Sequence, residues 1–159
     1  MEIVRLFTSN DELEFLIGQF RRHLSKLNRS VQDVHKKDIV SETQGYFREN
    51  NVVFGGLYKD RLVAFTVLSE REGCFWMEWI YVDEQYRRKG FAKALFEAAE
   101  EFARVRGESQ LYIWVHPDND LMISFLKQCG YDTLNLLEIT KKDKPEVKEV
   151  KILGHTYKY

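Results

Sequence analysis

The stretch Trp79-Ile80-Tyr81-Val82-Asp83-Glu84-Gln85-Tyr86-Arg87-Arg88-Lys89-Gly90-Phe91-Ala92 decides the fold, because it changes character twice. It opens as an aromatic and β-branched run, which favours a strand. A polar linker follows, and then a helix: Phe91, Leu95, Ala98, Phe102 and Val105 recur at helical spacing, and Gly107 supplies a stop. The pattern predicts a strand over Cys74 to Val82 and a helix over about Gly90 to Arg106. Leu111 to Val115 is the next short apolar run. Strand, helix and strand in that order imply a parallel pair joined by a crossover.

The basic residues here stand in the wrong place for a bare helix. Arg87, Arg88 and Lys89 crowd the helix start, and Lys93 lies in its first turn. A helix N-terminus already carries about +0.5 charge, and cations there are unfavourable by several tenths of a kcal/mol each. An anion at the mouth removes the conflict, since free backbone N–H groups and the dipole both favour a phosphate. Gly90 lets backbone approach such a ligand closely, and Ala92 keeps the inner wall small. A solvated basic turn whose cations pair with nearby acids accounts for the charge pattern about as well.

Upstream, Ile3 to Phe7 reads as a short strand, and Ser9-Asn10-Asp11-Glu12 as a helix start. Leu13, Leu16, Ile17, Phe20, Leu24 and Leu27 form that helix's stripe. A weaker helix is expected from about Val31 to Glu49. Val52 to Tyr58 and Arg61 to Leu68 form a hairpin around Lys59-Asp60, and Glu70 to Gly73 turns the chain again. Downstream, Asp118-Asn119 caps a helix that holds Met122, Phe125, Leu126 and Cys129 and ends at Gly130. Thr133 to Thr140 reads as a strand, residues 141–146 as a charged loop, and Val147 to Tyr159 as a last strand. The class is α+β: a mixed, mostly antiparallel sheet with a parallel central pair, flanked by helices, in one domain over residues 1–159.

The quoted stretch resembles motif A of the GNAT acetyltransferases: an apolar strand, a short linker, then Gln/Arg-x-x-Gly-x-Gly/Ala opening a helix, here Arg87, Gly90 and Ala92. Val115-His116-Pro117-Asp118-Asn119 and Phe125 to Tyr131 are similar to the family's motif B. The resemblance covers about residues 52 to 141. It implies that acetyl-CoA is the co-substrate and that an amine is acetylated by direct attack. The pantetheine arm would pair with backbone at Ile80, Tyr81 and Val82 as an added strand. The diphosphate would lie on Arg87, Arg88, Lys89, Gly90, Phe91, Ala92 and Lys93. Asn119 would meet the cofactor's other side, and the two parallel strands would diverge to admit the arm.

Glu78 is the candidate general base. Strict alternation puts Cys74, Trp76, Glu78, Ile80 and Val82 on one face, with Glu78 as its lone charge. The other reading of Glu78 is a strand carboxylate paired with a Lys or Arg, or turned to solvent by a bulge. Many family members carry Tyr where this chain has Leu126, so the proton donor for the thiolate is missing at that position. Tyr131, better suited to packing in the core, is one substitute and water another. A non-catalytic acyl-CoA-binding module is therefore the alternative reading.

A net charge of −1 gives no field that would favour nucleic acid or an anionic membrane. Cys74 and Cys129 have no metal-binding spacing and read as reduced, partly buried thiols, so no metal is expected. With no signal-peptide pattern and no apolar run of membrane-spanning length, a cytoplasmic setting is expected. The implied partner is an amine-bearing acceptor, small molecule or peptide. A closing strand that pairs between subunits would allow a homodimer.

Overall fold

The computed structural model describes residues 1–27, 35–108, 111–139, 141 and 148–158. Five strands form one sheet in sequence order: β1 (Glu2–Leu6), β2 (Asn51–Tyr58), β3 (Arg61–Arg71), β4 (Cys74–Val82) and β5 (Leu111–Ile113). Each neighbouring pair is antiparallel except β4 and β5, which run parallel and are joined through α3 (Phe91–Val105). Helices α1 (Asp11–Leu27) and α2 (Lys36–Gly45) lie between β1 and β2 in the chain, and α4 (Asp120–Gln128) follows β5.

Local chemistry accounts for the connections. The β2–β3 turn places Lys59 and Asp60 at φ 49° and 63°, and the β3–β4 turn places Glu72 and Gly73 at 52° and 78°. Two successive positive φ values give the turn whose twist matches that of a hairpin. Helix α1 starts where Asn10 Oδ1 accepts from Leu13 N–H at 2.8 Å, with Asp11, Glu12 and Glu14 in its first turn. Glu12 Oε2 also accepts from Leu62 N–H at 3.1 Å, which ties this helix to β3.

The sheet separates two apolar layers. On one face Leu13, Leu16, Ile17 and Phe20 of α1 pack on Val53, Phe65, Val67 and Tyr81. On the other, Phe96, Ala99 and Ala103 of α3 and Leu126 of α4 pack on Leu68, Phe75 and Met77. Phe91, at the first turn of α3, sits with Val63, Ala64 and Leu95. It approaches β2 where the strand has no side chain: a Cβ on Gly56 would stand 2.9 Å from Phe91 Cδ1. That glycine lets the mouth of α3 rest directly on the sheet.

Four sequence expectations change. The last segment is a separate hairpin, β6 (Glu149–Ile152) with β7 (His155–Lys158), reversing at Leu153 and Gly154, both at positive φ. No strand forms over residues 133–139, where Leu134, Leu136 and Ile139 are exposed. The parallel pair consequently lies at the edge of the five-stranded sheet among the described residues, not at its centre. Helix α2 is shorter than expected; residues 31–34 of that expectation, Thr140 of the expected strand, 142–146 of the charged loop, and Val147 and Tyr159 of the last strand lie outside the described residues. Cys74 and Cys129 are free and partly buried.

Candidate active site

The site begins where the parallel pair ends. Phe75, Trp76 and Met77 pair with Leu111, Tyr112 and Ile113, and among the described residues the ladder stops there. β4 continues to Val82, paired among the described residues with β3 alone, on its other side. Its edge from Glu78 to Val82 therefore carries backbone groups that an extended, amide-bearing chain can pair with.

That edge leads to the mouth of α3. A short 3-10 turn, Glu84–Tyr86, is followed by Arg87 in extended backbone, Arg88 at φ 61° and Gly90 at φ 88°. Backbone that reverses hand in this way gathers successive N–H groups on one side. The first α3 bond runs from Ala94 N–H to Gly90 O, so Phe91, Ala92 and Lys93 hold N–H groups with no acceptor inside the helix. Unlike α1, this helix has no side-chain cap and no acid in its first turn.

The cations of the turn are divided among different tasks. Arg87 turns back: its Nε donates to Val82 O at 3.1 Å, its Nη1 lies 3.7 Å from Glu84, and its guanidinium stands over the Tyr81 ring. It braces the end of β4. Lys89 lies 4.9 Å from the Tyr86 ring centroid and 5.8 Å from that of Tyr58. Lys93 pairs with Glu97 one helical turn on, at 3.7 Å and well exposed, so the pair contributes little. Among the described residues, Arg88 is the cation of this turn without an acidic or aromatic partner, and it is exposed. Asn119 caps α4, its Oδ1 accepting from Met122 N–H at 3.2 Å, which leaves its amide group as the part able to donate to a ligand. His116 Nδ1 accepts from Asp118 N–H at 3.1 Å, part of the local turn.

Glu78 occupies a position that alternation does not describe. Val67 registers with Trp79 and Leu68 with Met77, so Glu78 is an extra residue, a bulge. Side-chain parity reverses across it. Phe75 and Met77 point to the α3 layer, whereas Trp79 and Tyr81 pack in the α1 layer and Ile80 and Val82 take over the α3 side. The expectation that Cys74, Trp76, Glu78, Ile80 and Val82 share one face is overturned: the inserted residue resets the pleat. The Glu78 carboxylate meets the Arg71 guanidinium at the end of β3. Arg71 in turn stands over the Trp114 ring, 5.5 Å from its centroid. Trp114 is 64% exposed, and its ring lies 5.0 Å from that of Trp76, which stacks on Tyr112 at 5.1 Å.

Sequence reading missed Arg71 and Trp114. The signal for Trp114 was its period-2 spacing from Tyr112, opposite Trp76. Arg21 of α1 is half-buried: its Nε donates to both Glu42 oxygens, at 2.9 and 2.7 Å, and its guanidinium stands over Trp79. The Tyr46 hydroxyl donates to the same carboxylate, and burial first, then that bond, pushes its pKa up.

Leu126 is a buried core residue, 6% exposed. The Tyr131 hydroxyl donates to Glu100 at 3.0 Å and accepts from Leu111 N–H at 3.2 Å. Burial foremost pushes its pKa up to about 12. Leu111 pairs with Phe75, at the opposite end of the parallel ladder from Met77 and Ile113, so this hydroxyl braces the fold. Tyr131→Phe is accordingly expected to lower stability by about 1–2 kcal/mol and leave kcat unchanged, as denaturant melts and steady-state rates would read. Because the folded-state pKa lies above the unfolded value, stability is lost as pH climbs from about 10 toward 12, and Tyr131→Phe should lose less over that window.

A sequence profile of the Acetyltransferase (GNAT) family matches residues 18–131. The chain belongs to that family. The protein YxbD of Bacillus subtilis is 33% identical over 100 residues, 59% of this chain and 61% of that protein, so the match spans less than two thirds of that relative's length. A mutant of the BH1408 protein from Bacillus halodurans has the same fold, with TM-score 0.69, 17% identity and coverage of 91% of this chain and 99% of that one. So does the aminoglycoside acetyltransferase AAC(6')-Iy, solved with the bisubstrate analogue CoA-S-monomethyl-acetylneamine, at TM-score 0.66, 14% identity and coverage of 90% and 98%. Among the described residues no helix is long and apolar enough to cross a membrane, and no group of three or more His, Cys, Asp and Glu side chains is placed to hold a metal.

Proposed function

We propose that the chain is an acetyl-CoA-dependent N-acetyltransferase acting on a primary amine by direct attack. The observation that carries this reading is the end of β4–β5 pairing at Met77 and Ile113, which leaves an open β4 edge running to the uncapped mouth of α3. On this reading the diphosphate sits on the N–H groups of Arg88 to Lys93, with Arg88 and Lys89 as counter-charge. The pantetheine amides pair along Ile80, Tyr81 and Val82. The thioester then falls near Glu78, which takes a proton from the attacking amine, while Asn119 donates from the opposite wall. The proposal is supported by family membership and by the CoA-linked analogue bound to the structurally similar AAC(6')-Iy.

Thermal shift with coenzyme A against ATP tests the binding. A ligand at a hundred times its Kd adds about 2.7 kcal/mol, a rise of about 5–10 °C for a chain of this size. Equal or absent stabilisation would remove the coenzyme A assignment. Leu126 in the core and Tyr131 tied to Glu100 favour a second reading, an acyl-CoA-binding module without turnover. Stabilisation by coenzyme A with no thiol release from acetyl-CoA, for any amine in a broad panel, would select it.

A further inference from the structure

One hydroxyl of β3 lies inside an otherwise apolar layer. Phe65 and Val67 face α1, so Thr66 stands between Ala64 and Leu68 on the α3 side, fully buried. A buried hydroxyl needs a partner. Thr66 Oγ1 donates to the carbonyl of Trp79 on the facing strand, at 2.8 Å. Trp79 is the first residue after the bulge, where the β3–β4 register has just shifted and the ladder is locally disrupted. The hydroxyl holds the peptide plane at that point. The Trp79 ring is held from the α1 side, by Phe20 at 5.2 Å between centroids and by the Arg21 guanidinium 5.1 Å from its centroid.

The Trp79–Ile80 peptide is planar and trans, so its C=O and N–H point opposite ways. With the carbonyl drawn toward β3, the Ile80 N–H is aimed at the open edge of β4. The far end of that edge is fixed in the same manner. Asp83 N–H donates across to Val63 O at 2.9 Å, and the Val82 carbonyl of the same peptide unit faces outward, where Arg87 Nε donates to it at 3.1 Å. We propose that Thr66 is a positioning residue for coenzyme A: its hydroxyl presets the Ile80 N–H as a donor to an amide carbonyl of the pantetheine arm. The inference rests on the acetyl-transfer reading above and adds to it a residue that touches neither the ligand nor the reacting atoms. It also divides the ligand in two, since Thr66 serves the arm while the turn from Arg88 to Lys93 serves the diphosphate.

Thr66→Val keeps the shape of the side chain, suits its apolar surroundings and removes the donor. Calorimetric titration of the full chain should show coenzyme A binding about fivefold more weakly to this variant, the effect of one hydrogen bond. Phosphoadenosine diphosphate, which is coenzyme A without its pantetheine arm, should bind the variant and the wild type equally. The comparison of two ligands on one variant cancels any general loss of stability. Thr66→Ser retains the hydroxyl and should bring coenzyme A affinity back to within about twofold of wild type. Thr43→Val is the control: Thr43 is equally buried, and its hydroxyl donates to Ile39 O within α2 at 2.7 Å. That variant should lower Tm about as much as Thr66→Val and leave coenzyme A affinity unchanged. Undiminished coenzyme A binding by Thr66→Val, or equal weakening of both ligands, would overturn the inference and leave acetyl transfer intact. Failure of the wild type to bind coenzyme A would instead sink the reading beneath it.

Discussion

Glu78→Gln is expected to lower kcat/KM at neutral pH by about 100-fold or more, the range a positioned general base supplies. The substitution keeps the shape of the side chain and removes its ability to take a proton. It also removes the ion pair with Arg71, but that guanidinium is 45% exposed, so the stability change should stay near 1 kcal/mol or less. Activity and stability thus separate in one variant. A steady-state profile against a reactive amine, with melting as control, reads both. An unchanged kcat/KM would take Glu78 out of the mechanism, and a large fall in Tm would assign it a structural role instead.

Phe91→Ala should produce the largest loss of stability tied to the site, about 3–5 kcal/mol for a buried phenylalanine. Its ring is 2% exposed and rests on Gly56, Val63 and Ala64. Its edge meets the Tyr86 ring, over which Lys89 lies, and Tyr86 meets Tyr58. Removing the ring empties the floor beneath the turn from Arg87 to Gly90. Coenzyme A affinity should fall with it by about tenfold, or ~1.4 kcal/mol, although the side chain itself is turned away from the ligand. Phe91→Leu keeps an apolar filling and should recover most of both. Denaturant melts and coenzyme A titrations of the pair give the comparison; equal ligand affinity in wild type and Phe91→Ala would show that the turn holds its shape without support.

The elements with long, consistent periodicity were legible in the sequence: β4 from Cys74 to Val82, the span of α3, and the hairpin at Lys59-Asp60 all stand where spacing puts them, although the buried stripe of α3 passes from Phe91 and Leu95 through Phe96, Ala99 and Ala103 and leaves Val105 exposed. The basic residues at the start of α3 were legible because they contradict the helix dipole. What pairing decides was not legible. A bulge at Glu78 leaves no mark in composition, since it exists only against the register of β3. The partners of Arg87, Arg71 and Arg21 lie on other elements or backbone carbonyls, and charge runs alone do not name them. Residues 133–139 show the converse: an alternating pattern fits a strand, but a strand needs a neighbour, and none is paired there. The face of Glu78 was misassigned by the same logic, because parity assumes an uninterrupted pleat.

The bulge has an effect on how β4 tolerates change in length. A substitution at Glu78 touches one carboxylate, and even its deletion would leave Met77 and Trp79 as neighbours in a regular pleat, still opposite Leu68 and Val67. Ile80 and Val82 would go on facing α3, and Trp79 and Tyr81 would stay in the layer built around α1. The extra residue is thus a spacer that the strand absorbs outside its pairing. Among the residues of β4 it is the one whose loss the packing of both layers would survive, and what would go with it is the carboxylate beside Arg71.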